Sequence, residues 1–214
     1  MEMATKTIML LAILTLIVTP VMAEDVYDPP WEEDPTDPQW EGGVTTYQRW
    51  EFAENPTYPV EMDNKFGEPF VEVVNGEYPD IVPGPNDVDI PTWHIGPGGG
   101  KVKVTVQNNP DPNKVKLILF QITSDKAGDP GGPTTNPPGA SQPRGPIQLP
   151  NANWYVFTWD IVIPGNPPEE TIEMEFPEST NISEIVVHTM CVPEPATMTL
   201  LALGACLPLL RRRR

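Results

Sequence analysis

The chain has 214 residues and a formal net charge of −17. Between residues 24 and 192 it carries eight basic and 28 acidic residues, so the net charge of this part is −20. A surface this acidic has no basic stripe to neutralise phosphates, which excludes nucleic acid as a partner. The charge favours solubility and loose association with divalent cations or with basic and neutral polymers.

Residues 1–23 have the pattern of a secretory signal peptide. Lys6 precedes an apolar stretch at 8–18, Pro20 interrupts it, and small or aliphatic residues come before Glu24. The apolar stretch is short for a spanning helix, and acidic, proline-rich sequence follows it at once. We expect cleavage of this segment and export of the remainder. A retained N-terminal anchor is the alternative.

Residues 24–43 form an acidic, proline-rich segment, called the lead-in below. Four prolines and eight acidic residues leave few apolar side chains, among them Trp31 and Trp40. This composition is typical of a poorly ordered segment, and we expect no packed structure in it.

Residues 44–191 are predicted to form a single all-β domain. Short apolar or alternating segments are separated by Pro and Gly, and none of them has helical periodicity. We predict strands at 45–52, 69–74, 88–95, 101–107, 114–123, 154–163, 171–176 and 182–190. The segment 114–123 is apolar on both faces and is expected to be central, whereas Pro91 places 88–95 at an edge or a bulge.

This pattern indicates a β-sandwich or jelly-roll-like fold. The Pro/Gly-rich stretch 127–150 is expected to be a long surface loop of that domain. A boundary between two domains is the alternative, but each half would then have too few strands to close a core.

The candidates for catalysis and metal binding are few. The two histidines are His94 and His188, no Gly-x-Ser-x-Gly turn is present, and no Cys/His spacing fits zinc. Cys191 is the one cysteine outside the C-terminal apolar run, so it has no intramolecular disulfide partner in the body. We expect Cys191 to pack at a strand end, with a disulfide-linked dimer as the alternative. We predict no catalytic residues, no metal site and no enzymatic activity.

Two clusters of oxygen-bearing side chains make calcium the one alternative cofactor. Oxygen ligands on tight loops suit Ca²⁺, but neither cluster has the glycine and distal glutamate of an EF-hand loop. Asn and Asp are also ordinary turn residues, and turns are the preferred interpretation. The clusters are Asn109, Asp111 and Asn113, and Asn86, Asp87 and Asp89.

Tryptophans on the predicted strands are the best candidates for ligand contact. Tyr155, Phe157 and Trp159 share one face of their strand, while Trp154 has the opposite parity and is expected to be exposed. Trp154 and Trp93 are the candidate sugar-stacking residues, because flat aromatic faces can stack on sugar rings. The alternative is that these rings fill the core of the sandwich.

The C-terminus combines three features in a fixed order. Pro193, Glu194 and Pro195 precede fifteen uncharged residues at 196–210, and Arg211, Arg212, Arg213 and Arg214 end the chain. As a helix, the uncharged run would span about 22 Å. This is less than the hydrocarbon core of about 30 Å, which suits a temporary stop in the membrane. The arginines would stay on the cytoplasmic side.

This tail resembles the PEP-CTERM protein-sorting signal of exopolysaccharide-producing bacteria. The resemblance covers residues 192–214 and implies that a membrane-embedded enzyme, exosortase, recognises Pro193, Glu194 and Pro195 and processes the tail. An ordinary short tail anchor is the alternative. Because the last predicted strand ends near the motif, the body is expected to lie close to the membrane until processing.

The resemblance implies an exported protein that is first membrane-tethered and then at the cell surface or in the extracellular matrix. The segments TTYQRWEF and VVHTMCVPEP are also similar to uncharacterised exported bacterial proteins with this tail. Three hypotheses result: a non-enzymatic surface or matrix protein associated with exopolysaccharide, a carbohydrate-binding module, and a hydrolase.

Overall fold

The computed structural model describes residues 28–36, 40, 43–52, 57–84, 89–111, 114–127, 130–150 and 153–193. These residues form one short helix, α1 (Pro30–Glu33), and twelve strands. The strands are β1 (Val44–Glu51), β2 (Glu61–Asp63), β3 (Phe70–Val74), β4 (Gly76–Pro83), β5 (Asp89–Ile95), β6 (Gly100–Gln107), β7 (Lys114–Ser124), β8 (Thr134–Asn136), β9 (Ala140–Gln148), β10 (Tyr155–Ile163), β11 (Glu169–Phe176) and β12 (Asn181–Pro193). The all-β prediction is confirmed.

The strands form two antiparallel sheets that pack as a sandwich. The larger sheet has the order β2-β1-β12-β7-β10-β9, with β5 joined to the start of β12 and β4 joined to β5. The smaller sheet has the order β3-β6-β11-β8. As expected, β7 is central, lying between β12 and β10.

Alternating side chains from both sheets fill the space between them. From the larger sheet, β7 contributes Ile118, Phe120 and Ile122, and β10 contributes Phe157 and Trp159. The smaller sheet faces them with the valines of β6 and the apolar residues of β11, which are Val102, Val104, Val106, Ile172, Met174 and Phe176. Burial of these side chains is the main source of stability, because the body has no disulfide.

The prediction for residues 127–150 is wrong in its described part. This stretch contains β8, which pairs with β11, and β9, which pairs with β10 along its length. Both strands lie at sheet edges, where prolines are tolerated because one row of backbone N–H groups has no ladder partner. At a register shift beside Arg144, the guanidinium forms two 2.8 Å contacts with Asp160 of β10.

The prediction that the lead-in is poorly ordered is also wrong for its described residues. Helix α1 lies on the outer face of the larger sheet, where Trp31 is 6% exposed and packs with Leu119, Met190 and Val192. Glu32 Oε1 lies 3.1 Å from His188 Nδ1 in the same contact. The acidic segment therefore covers apolar surface at the end of β12.

Candidate functional site

An open cleft lies at one end of the sandwich, where four parts of the larger sheet meet. The end of β4, the end of β7, the β9–β10 connection and the start of β12 surround a volume of about 940 Å³. The lining combines apolar groups with amides and one carboxylate: Val82, Pro83, Gly84, Asp125, Gln148, Leu149, Pro150, Asn153, Trp154 and Asn181. Such a mixture can hydrogen-bond an uncharged polyhydroxyl ligand while packing against its apolar faces.

One wall of the cleft is held by a chain of polar contacts. The Asn181 backbone N–H and side-chain Nδ2 donate to the two Asp125 oxygens, at 2.8 and 2.7 Å. Asn181 Oδ1 lies 2.9 Å from His94 Nδ1, and Asp80 Oδ2 lies 3.5 Å from the same nitrogen. These contacts fix Asp125 and Asn181 relative to β5, so that wall is preorganised.

The expectation that Trp154 is exposed is wrong. Trp154 precedes β10, so strand alternation does not decide its orientation, and it is only 2% exposed. Its Nε1 donates to the Pro83 carbonyl at 3.1 Å, which joins β4 to the β9–β10 connection. Trp154 thus contributes to the cleft wall while its ring is largely covered.

Trp93 does not present an open ring either. It is partly buried against the core, with its centroid 5.3 Å from that of Tyr78 and 6.4 Å from that of Phe52. The structure brings Trp154 to the cleft but places Trp93 among aromatic neighbours. For these two rings, the alternative of packing explains the geometry better than an exposed stacking platform.

The loop around Asp111 is held by Asn166, and the Lys114 backbone N–H donates to the Asp111 carbonyl at 3.1 Å, as in a turn. Asp111 and Asn166 form a backbone bridge, with N–O distances of 3.0 and 3.2 Å, and Asn166 Nδ2 donates to the Asn109 carbonyl. Asp89 begins β5, while Asn86, Asp87 and Asn113 lie outside the described residues. In the part of the chain that the structure describes, no group of three or more His, Cys, Asp or Glu side chains could hold a metal ion. Calcium binding stays the alternative to ordinary turns at these residues.

Cys191 packs inside the domain, as the sequence predicts. It is free and 5% exposed, and it lies on β12 opposite Lys116 of β7. Burial raises the pKa of the Cys191 thiol, against the opposing effect of the Lys116 charge. A buried thiol with a raised pKa is a poor nucleophile.

A buried polar cluster of Asn108, Lys116 and Glu170 lies near the other end of β7 and was not predicted. Lys116 and Glu170 are completely buried and Asn108 is 6% exposed. Lys116 has the same parity as Ile118, Phe120 and Ile122, so the alternation already indicates an inward-facing charge. The identity and position of its partners could not be read from the sequence, because they come from β11 and the end of β6.

The first residue of the predicted sorting motif lies inside the sheet. β12 extends beyond the predicted end at Met190 as far as Pro193, which pairs with Lys114 of β7. The predicted signal at 1–23, Glu194, Pro195, the apolar run 196–210 and Arg211–Arg214 lie outside the described residues. Among the residues that are described, no helix is long and apolar enough to cross a membrane.

Comparisons with known proteins do not identify a family for this chain. No protein-family model matches the chain, and no curated protein matches it. Among solved structures, the chain is similar to the C-terminal CBM6 of LamC, a marine laminarinase from Zobellia galactanivorans. The match has 14% identity and a TM-score of 0.27, and it covers 55% of this chain and 98% of that one. A likeness at this level carries no argument about what this chain binds.

Proposed function

We propose that this chain is an exported, non-enzymatic protein of the cell surface or extracellular matrix, sorted and processed through its C-terminal signal. The observation that carries the proposal is the order Pro193-Glu194-Pro195, uncharged run and arginine cluster, behind an N-terminal signal pattern. An exosortase-type enzyme is the proposed processing partner. The uncharged run tethers the chain to the membrane before processing.

The body suits a role in an extracellular polymer layer. Its net charge of −20 keeps it soluble and repels other anionic surfaces. The domain is closed by a two-sheet core, and β12, which ends at the first residue of the motif, is the neighbour of the central strand β7. An acidic domain held close to its attachment point suits a structural or interaction role among exopolysaccharides.

Mass spectrometry of the mature protein from its own host tests this proposal. We expect an N-terminus near Glu24, because the signal is removed, and a C-terminus that lacks Arg214, because the tail is processed. The same chain expressed in a host without an exosortase-type enzyme is the control and should keep Arg214. Native protein that retains Arg214, or that is found in the cytosol, would contradict the proposal.

Carbohydrate binding in the cleft is the second candidate function. The cleft combines Asp125, Asn181, Gln148 and Asn153 with apolar lining from neighbouring residues, and its volume can hold one or two sugar rings. Because Trp154 is buried, we assign recognition to these polar groups and not to stacking on an exposed indole.

Alanine at both Gln148 and Asn153 is expected to weaken polysaccharide binding about tenfold, since each lost hydrogen bond costs about 0.5–1.5 kcal/mol. Both side chains are exposed, so the fold should be retained. Gln142→Ala, an exposed amide elsewhere on β9, is the matched control. Retention on a panel of neutral polysaccharide matrices measures the effect. Equal retention of the double variant and the Gln142→Ala control would remove the cleft as the site.

A further inference from the structure

Three buried polar side chains meet in the interior at one end of the sandwich. Lys116 enters from β7 in the larger sheet, and Glu170 enters from β11 in the smaller sheet. Asn108 follows β6 and continues the inward parity of Val102, Val104 and Val106. Its backbone N–H donates to the Pro168 carbonyl at 2.8 Å, which fixes the residue beside the start of β11.

The contacts among the three side chains form a closed triangle. Lys116 Nζ donates to Asn108 Oδ1, and Asn108 Nδ2 donates to Glu170 Oε2. Lys116 Nζ lies 3.5 Å from Glu170 Oε1, and that oxygen accepts no hydrogen bond from the described residues. The amine therefore adjoins the amide carbonyl, while the amide nitrogen adjoins the carboxyl group.

A plain buried ion pair is the competing explanation, and it is costly here. Lys116 and Glu170 are both fully buried, so each charge loses its hydration. Burial raises the pKa of the Glu170 carboxyl to about 7, although the Lys116 charge opposes this shift and Glu169 adds to it. Moving one proton from the lysine ammonium to this carboxylate removes both charges and leaves a neutral amine, which is a nucleophile.

We propose that Lys116 and Asn108 form an intramolecular isopeptide bond, with Glu170 as the general acid and base of the reaction. Lys116 Nζ attacks Cγ of Asn108, and a new N–C bond forms. The bond between Cγ and Nδ2 of Asn108 breaks, and Nδ2 leaves as ammonia.

The step balances without any oxidant or co-reactant. Glu170 accepts one proton from the attacking nitrogen and delivers one proton to the departing Nδ2, so the carboxyl group ends as it began. The contact between Asn108 Nδ2 and Glu170 Oε2 provides the path for this delivery. Fixed positions make the attack effectively unimolecular, and the complete burial of Lys116 and Glu170 shields the reacting groups from solvent.

The bond would have a structural consequence that suits the site. Asn108 follows a strand of the smaller sheet and Lys116 lies in the central strand of the larger one, so the bond would join the two sheets covalently. The body has no disulfide to do this. The cross-link lies at the end of β7 that pairs with Pro193, where the body joins its tail.

Peptide mapping of the denatured full chain tests the bond directly. Trypsin cleaves after unmodified lysine, so an unlinked chain gives the separate peptides 104–114, 115–116 and 117–126. An acylated Lys116 resists cleavage. We expect a branched product in which 104–114 is joined to 115–126, lighter than the sum of the two by about 17 Da, the mass of ammonia.

Two comparisons separate this result from other chemistry. Cyclisation of Asn108 to a succinimide also loses ammonia, but it would leave Lys116 cleavable and the peptides separate, which overturns the proposal. Glu170→Ala is expected to abolish the branched product. Glu173→Ala, which removes the half-buried partner of Lys101 at 2.8 Å, should keep it.

The wild-type digest decides the existence of the bond by itself, whatever Glu170→Ala does to folding. Recovery of only the three unlinked peptides from folded wild-type protein would overturn the proposal. A branched product formed as fully in Glu170→Ala as in the wild type would overturn the role of Glu170. The outcome is independent of export and tail processing, since the reacting groups all belong to the body.

Discussion

Replacing Glu194 with alanine is expected to leave the C-terminal tail on the chain. Glu194 is the one charged residue between the prolines of the motif. An enzyme that recognises it must pair that carboxylate with a cation or hydrogen-bond donors, and removing one partner of a buried charged pair costs about 3–5 kcal/mol. Processing should therefore slow by more than about 100-fold. Pulse-chase labelling in the native host, with membrane fractionation, measures the rate.

Glu68→Ala is the matched control, because it removes an exposed carboxylate of the body far from the motif in sequence. It should be processed at the wild-type rate. If Glu194→Ala is processed as quickly as this control, the motif is not what the enzyme reads. The ordinary tail anchor would then be the better explanation.

The same assay also tests how closely the domain is joined to the apolar run. Pro193 pairs with Lys114 in the sheet, so the two residues Glu194 and Pro195, or about 10 Å of extended chain from Pro193 to Ala196, separate the domain from the apolar run. A flexible Gly/Ser insert after Pro195 would lengthen this junction while leaving the triplet and β12 intact. Faster processing is expected if the domain hinders access, and an unchanged rate would argue against close tethering.

Trp159→Ala is expected to destabilise the body by about 3–5 kcal/mol. Trp159 is 2% exposed at the centre of the core. Its ring centroid lies 6.0 Å from that of Phe120 and 6.1 Å from that of Phe157, with the second pair stacked at 18°. Truncation removes these contacts and leaves a large cavity between the sheets. Urea unfolding of residues 24–193, followed by circular dichroism, measures the change in free energy.

Val162→Ala is the control on the same strand. Val162 is 40% exposed on the outer face, so its truncation should cost less than about 1 kcal/mol. Similar losses for the two variants would mean that the space between the sheets is not the principal core.

All eight strands predicted from sequence are present, because the pattern of apolar side chains in each segment matches the burial of its strand in the sandwich. The alternation of Val102, Val104 and Val106 and the two apolar faces of 114–123 reflect burial that each strand experiences directly. The four strands that sequence reasoning missed, β2, β4, β8 and β9, are short or contain proline. β2, β8 and β9 are edge strands, and β4 pairs only with β5. Each of the four therefore has one hydrogen-bonded neighbour, and its sequence need not suit a strand that is paired on both sides.

The candidate sites were less predictable than the fold. Strand parity predicts that Trp154 is exposed, but Trp154 precedes β10 and is buried, so the parity of that strand does not apply to it. The acidic composition around Trp31 predicts a poorly ordered segment, because composition carries no sign of the apolar surface that this ring covers. The cleft residues are brought together only by folding, since Asp125, Gln148 and Asn181 come from different parts of the chain.

The sequence by itself determined the β class, the central strand, the acidic character and the candidate sorting tail, because each depends on residues that are neighbours along the chain. Only the tertiary structure decided which side chains from distant strands meet, as Asn108 and Lys116 meet Glu170 in the interior. The physical reason is that local spacing fixes the direction of a side chain relative to its own strand, whereas its partners depend on sheet order, register and the packing of one sheet on the other.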